Sequence, residues 1–134
     1  MPESPPPLSR VLETVLYYTD AERTERFYAG VLGMRLLDRE PGRSLFFRIG
    51  DGVFLLFKAD ETLQGKTLPG HGASGPIHTC FLVPEGEYER WKAYLTSRGV
   101  PVIHETTWSN GLSFYFHDPD ANLLEIANAD IWPR

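Results

Sequence analysis

The chain has 134 residues, 42% of them hydrophobic and 13% aromatic, which is enough apolar material for one buried core and too little length for two ordinary independent domains. Its formal net charge is −5 and Lys and Arg do not cluster, so neither nucleic acid nor an anionic membrane surface has an electrostatic foothold. The single cysteine, Cys80, excludes an intrachain disulfide and a thiolate zinc cluster and suits a reducing compartment.

Residues 1–8 are proline-rich, lack the basic and apolar regions of a signal peptide, and read as a disordered N-terminal segment. No apolar run approaches the roughly 20 residues that cross a bilayer. The expectation is a soluble, cytoplasmic protein that meets a small molecule or a second copy of itself, with no nucleic acid and no membrane as partner.

Residues 11–18 are rich in β-branched and aromatic side chains and predict a strand whose one charged residue is Glu13. Asp20 stands at an N-cap position, and Phe27, Tyr28, Val31 and Leu32 recur at helical spacing up to Gly33, predicting a helix of about three turns. Three short strands follow over residues 34–39, 45–49 and 53–58, the last two joined through Gly50-Asp51-Gly52, a hairpin signal. Residues 59–76 are rich in glycine and proline and read as a linker or lid. His71 lies there beside Gly70 and Gly72, where it would either close over a ligand or stand exposed.

The second half repeats the order. A strand over 77–83 precedes a helix carrying Tyr88, Trp91 and Leu95 and ending near Gly99, with strands over 100–104, 113–117 and 123–128. Trp108-Ser109-Asn110-Gly111 reads as a hairpin turn. Glu13 and His78 stand 65 positions apart and Gly33 and Gly99 stand 66 apart, which argues for an internal structural repeat. The sequence thus predicts an α+β fold of two βαβββ modules, about 9–58 and 77–129, within one domain over 9–134.

Alternation along a strand places Glu13 on one face with Val11, Val15 and Tyr17, His78 with Cys80 and Leu82, and Glu125 with Leu123 and Ala127. A charged side chain on a mostly apolar face needs compensation. Each residue alone has a plainer reading: a solvated edge for Glu13, a core or surface imidazole for His78, and for Glu125 an ion pair with an arginine such as Arg48. Taken together, two carboxylates and one imidazole match the ligands of a divalent cation, with positions left for water and substrate. Phe46 with Arg48, and Tyr115 with His117, share strand faces and are candidates to line a substrate cavity, as is Trp108 at its hairpin. Cys80 shares the face of His78 and reads as a buried inert thiol.

Val15-Leu16-Tyr17-Tyr18-Thr19-Asp20, followed by Phe27-Tyr28 and Val31-Leu32-Gly33-Met34, resembles the opening signature of the vicinal oxygen chelate superfamily, which includes glyoxalase I, fosfomycin-resistance enzymes, extradiol dioxygenases and bleomycin-resistance proteins. The run from Phe116 through Asp118-Pro119-Asp120 to Glu125-Ile126 resembles its closing signature. The resemblance implies a curved mixed sheet around an open metal-binding cavity, commonly in a homodimer, with Glu13, His78 and Glu125 as ligands. If the modules pair across two chains, Glu13 comes from one and His78 with Glu125 from the other.

Two departures shape the expected chemistry. The first ligand is often histidine and here is Glu13, and the fourth ligand of glyoxalase I meets only Phe54-Leu55-Leu56-Phe57. One nitrogen and two oxygens suit Mn, Mg, Zn, Co or Ni and place iron, and with it ring cleavage, lower. Glu13 or Glu125 would serve as the proton-transfer base, giving a metal-dependent lyase, isomerase or transferase of glyoxalase type. For a phosphonate the available cations are few: Arg48, Lys58 and Lys66. The alternative implied by the resemblance is a metal-free small-molecule binding protein of the bleomycin-resistance kind.

Overall fold

The computed structural model describes residues 5–65 and 68–132. Residues 5–12 carry no helix or strand. The first four residues of the segment read as disordered, and Lys66, lie outside the described residues.

The first unit consists of β1 (Glu13–Tyr18), α1 (Ala21–Glu25) continuing into a π-helical turn (Arg26–Val31), β2 (Arg35–Glu40), β3 (Ser44–Ile49) and β4 (Gly52–Lys58). A short helix, α2 (Ala59–Thr62), opens the segment read as a linker. The second unit has β5 (His78–Leu82), α3 (Tyr88–Ser97), β6 (His104–Trp108), β7 (Gly111–His117) and β8 (Leu123–Ala127). Each unit forms its own four-stranded sheet, in orders β1-β4-β3-β2 and β5-β8-β7-β6. In both, the first strand pairs parallel with the last and the remaining pairs are antiparallel. The repeat extends to the helix ends, where Gly33 and Gly99 adopt φ of 74° and 76°, a left-handed conformation that only glycine takes without penalty.

Two expectations shift. The helix after Asp20 is capped as foreseen, the carboxylate accepting from the Arg23 amide at 3.1 Å, but it widens to π geometry from Arg26. That turn delivers the adjacent Phe27 and Tyr28 both into the core. The strand expected over 100–104 instead occupies His104–Trp108. Pro101 has no amide to give to a ladder, and the register is counted back from the Ser109-Asn110 turn, which sets Trp108 opposite Gly111.

One core serves both units. Leu16, Phe47, Phe54 and Leu56 of the first sheet cluster with Phe114, Phe116, Leu124 and Ile126 of the second, around Tyr28 and Leu95 from the helices. Phe54 and Phe81 meet at 5.6 Å between ring centroids, and Phe27 reaches Phe116 at 6.5 Å. Each such buried side chain contributes roughly 1.5–3 kcal/mol. Because the helix-bearing faces are spent on this shared core, the opposite faces of both sheets open away from it.

The turn between β7 and β8 locks the units together. Asp118 Oδ1 accepts from the amides of Asp120 and Asn122, both at 2.9 Å, while Oδ2 accepts from the Tyr28 hydroxyl at 2.7 Å and the Asn122 amide nitrogen at 2.9 Å. Asn122 Oδ1 in turn accepts from the Ile77 amide at 3.0 Å, at the entry to β5. Burial and the Asp118 carboxylate push the Tyr28 phenol far above its ordinary range, so it stays a donor. The Asp-Pro turn is therefore structural.

Candidate functional site

β8 lies between β5 and β7, so Glu125 is held in the interior of its sheet, with a side chain 6% exposed. His78 begins the edge strand β5 and keeps its side chain 48% exposed. The parallel register sets His78 opposite Leu123, and the ring Nδ1 lies 2.8 Å from the Leu123 carbonyl oxygen. A carbonyl only accepts, so Nδ1 carries a proton, and in the neutral ring Nε2 keeps a lone pair. That lone pair faces Glu125 Oε1 at 3.2 Å.

Two acceptors pointed at one another require a cation or a proton between them. The separation of 3.2 Å is the span of two donors that share one divalent ion at roughly 2.0–2.2 Å each. A backbone carbonyl that fixes the free nitrogen of a ligating histidine is the usual supporting partner in metal sites. Glu125 Oε2 is buried with no hydrogen-bond partner in the structure, a further unmet acceptor at the same place. The arginine pairing considered for Glu125 is not what forms; Arg48 donates instead to the Gly52 carbonyl at 3.3 Å.

Glu13 sits elsewhere. It starts the edge strand β1 of the first sheet, exposed, opposite Val53. Among the described residues of a single chain, no group of three His, Cys, Asp or Glu side chains is placed to hold a metal. One chain thus brings His78 and Glu125 together and keeps Glu13 on the open face of the other sheet.

That open face carries a cavity of about 630 Å³ with Glu13 at one end and Tyr17 and His71 at the other, floored by Val15, Phe46, Leu55 and Phe57. Alternation along β1 foreshadowed Val15 and Tyr17; nothing in the sequence marked Leu55 or Phe57, since adjacent Phe54 and Leu56 are equally apolar and point into the core. Phe46 lines this cavity as expected. Arg48 shares its face by register but turns toward Gly52, and Lys58, two positions beyond Leu56 on β4, belongs to the opposite face.

On the second sheet, Tyr115 is the neighbour of Glu125 on β7, its ring 6.2 Å from that of His78 and 5.7 Å from that of His104. His117 is exposed opposite Leu123. Trp108 donates its indole N–H to Ser113 Oγ at 2.8 Å, which fixes the ring at the sheet margin. Cys80 is exposed rather than buried, directly beside Glu125 in register. Partial burial of its sulfur and the neighbouring carboxylate push the thiol up to about 12, so it remains protonated and a poor nucleophile.

Comparison with known proteins agrees with this architecture. The sequence is 30% identical over 111 residues to the glutathione transferase FosA of Serratia marcescens, covering 83% of this chain and 74% of that one. The crystal structure of lactoylglutathione lyase from Agrobacterium tumefaciens superimposes with a TM-score of 0.90 at 33% identity, covering 96% of this chain and all of that one. A glyoxalase/dioxygenase from Nostoc punctiforme shares the fold, with a TM-score of 0.69 at 22% identity over 90% of this chain and 91% of that one. The profile of the Glyoxalase/Bleomycin resistance protein/Dioxygenase superfamily matches residues 10–126, and the chain is a member of that superfamily.

Proposed function

We propose that this protein is a divalent-metal-dependent lyase, isomerase or transferase of glyoxalase type, acting on a small substrate that presents adjacent oxygens. The observation that carries the reading is the His78–Glu125 pair: two acceptors 3.2 Å apart, with the tautomer fixed by the Leu123 carbonyl and a second carboxylate oxygen left unmet. The relatives named glutathione transferase and lactoylglutathione lyase support the reaction class.

His78, Glu125 and Glu13 would hold the ion, which supplies polarisation of substrate oxygens as negative charge develops on them. Since one chain places Glu13 on its first sheet and the pair on its second, both on open faces, the reading takes the working unit as a homodimer. The first sheet of one copy then faces the second sheet of another. Glu125 anchors from the sheet interior. In this reading Glu13, exposed at the cavity end, would accept a proton from substrate and return it.

The apolar cavity on the first sheet also suits a protein that only sequesters a ligand. Metal analysis of protein purified without chelator separates the two. About one ion per chain, lost in Glu125→Gln, is expected by analogy with ligand loss at metal sites. Substoichiometric metal that Glu125→Gln leaves unchanged would overturn the enzyme reading in favour of sequestration.

A further inference from the structure

The cavity of the first sheet is unequal end to end. Glu13 and Tyr17 lie four residues apart on the same face of β1, which separates them by about 13 Å along the strand. No ligand to an ion beside Glu13 can be contacted from Tyr17 directly, so whatever fills the far end belongs to the body of the bound molecule and not to its reacting atoms.

That far end is built, not incidental. The Tyr17 hydroxyl and His71 Nδ1 are 2.8 Å apart, and the His71 ring stands edge-on to Phe57 with centroids 4.7 Å apart. His71 is fixed by its own backbone, its amide donating to the Thr62 carbonyl at 3.1 Å. The loop folds back so tightly that a Cβ at Gly70 would stand 2.7 Å from the Leu63 carbonyl oxygen, and one at Gly65 would stand 2.8 Å from the Gly70 nitrogen. Gly65 and Gly70, two of the glycines by which residues 59–76 read as a linker or lid, are what let the loop fold this closely.

The chemistry at this end is aromatic and neutral. Whichever of Tyr17 and His71 holds the shared proton, the pair offers both a hydrogen-bond donor and an acceptor. Burial raises the Tyr17 phenol above its ordinary value, so it does not ionise near neutral pH. Among the described residues no Lys or Arg lines the cavity. Arg43 lies in an adjoining recess of about 240 Å³ that shares Phe57 and His71, and it is paired with Glu40 at 3.5 Å.

We infer that the Tyr17–His71 end of the cavity is a recognition site for the tail of an elongated substrate, one with an apolar or aromatic body and a neutral hydrogen-bonding terminus. This rests on the chelate reading for the head of the molecule and deepens it by assigning the substrate class. Phe46, Leu55 and Phe57 would bury the body; Tyr17 and His71 would read the terminus.

The test is calorimetric, on full-length protein loaded with Zn²⁺ or Mn²⁺ and on the same protein without metal. The probes are acetohydroxamate, a hydroxamate bearing a phenyl ring on a four-carbon chain, and that compound with para-carboxamide or para-carboxylate. In loaded protein the phenylbutyl compound should bind at least about 10-fold tighter than acetohydroxamate, from apolar burial alone. The carboxamide should gain a further roughly 3- to 10-fold, the usual value of one buried hydrogen bond.

Tyr17→Phe and His71→Ala should remove that last gain and keep the phenyl gain. Gly70→Ala should do the same by displacing His71 without altering any cavity side chain. If acetohydroxamate binds and the phenyl tail adds nothing, or the carboxylate outbinds the carboxamide, or the variants change nothing, the assignment is overturned while the chelate reading stands. If acetohydroxamate does not bind loaded protein yet the carboxamide compound binds metal-free protein in a His71-dependent way, the chelate reading fails and the tail site is retained.

Discussion

The two sheets have the same strand order, the same parallel edge pair and the same left-handed glycine after the helix, yet they load their open faces differently. The first gathers an open, mostly apolar cavity with Glu13 at one end. The second sets His78 against Glu125, with the Tyr115 ring near those of both His78 and His104. The repeat fixes where an open face occurs, and the side chains at equivalent positions decide whether that face is polar or apolar. Glu13 and His78 occupy equivalent first-strand positions, but only His78 has an acidic neighbour on the adjacent strand, because β8 carries Glu125 where β4 carries Leu55.

The largest effect should come from breaking the polar face. Glu125→Gln should lower metal affinity by more than the roughly 10- to 100-fold typical of losing a ligand's supporting partner, read by metal content after dialysis. The sharper form mixes Glu13→Gln with Glu125→Gln protein. If the faces meet across a dimer, random mixing restores one intact site in half of the dimers, and turnover should recover to about a quarter of wild type, given that the two changes fall on different subunits of a shared site. No recovery would overturn the reading of a site shared across a dimer.

Next in size is the lock between the units. Asp118→Ala leaves the buried Tyr28 hydroxyl and two turn amides without their acceptor, and should cost about 2–4 kcal/mol in denaturant unfolding. Tyr28→Phe removes one of the same bonds and should cost about 1.5 kcal/mol. If the two variants cost the same, the turn amides contribute nothing and the Tyr28–Asp118 bond between the units carries the whole effect.

A smaller change tests whether the open faces are covered by a second copy. Leu82 on β5 is 67% exposed on the same face as His78 and Cys80. Leu82→Asp should weaken self-association by about 10-fold or more in sedimentation, burying an unpaired charge, and leave the unfolding midpoint of the dilute protein unchanged. Smallest is Ala121, whose φ of 63° makes it the one non-glycine residue with positive φ among the described residues, where the matching turn of the first unit uses glycine at Gly50. Ala121→Gly should stabilise by up to about 1 kcal/mol, visible as a higher melting temperature.

The order of elements and the repeat were legible because alternation, helical spacing and turn residues are local properties of the chain. So was the placing of Glu13, His78 and Glu125 on strands, since each is a charged or imidazole side chain in an apolar run. Local pattern also fell short in two places. It began the sixth strand at Val100, since β-branched residues there look like a strand and only the hairpin register shows that Pro101 lies outside the ladder. It also read residues 59–76 as a linker or lid without showing that Gly65 and Gly70 are needed for close backbone contact.

What the sequence determined by itself is the pair of βαβββ units and the residue types available for chemistry, because a period of two says which side chains share a face. Tertiary structure decided the rest. Strand order made β8 interior, so Glu125 is enclosed and His78, on an edge, is exposed; a pattern along one strand carries no record of which strands flank it. The parallel pairing of β5 with β8 brought the Leu123 carbonyl to His78 across 45 residues, and the shared core turned Glu13 away from both. Pairing and core placement depend on contacts distant in the chain, and those are absent from any local reading of it.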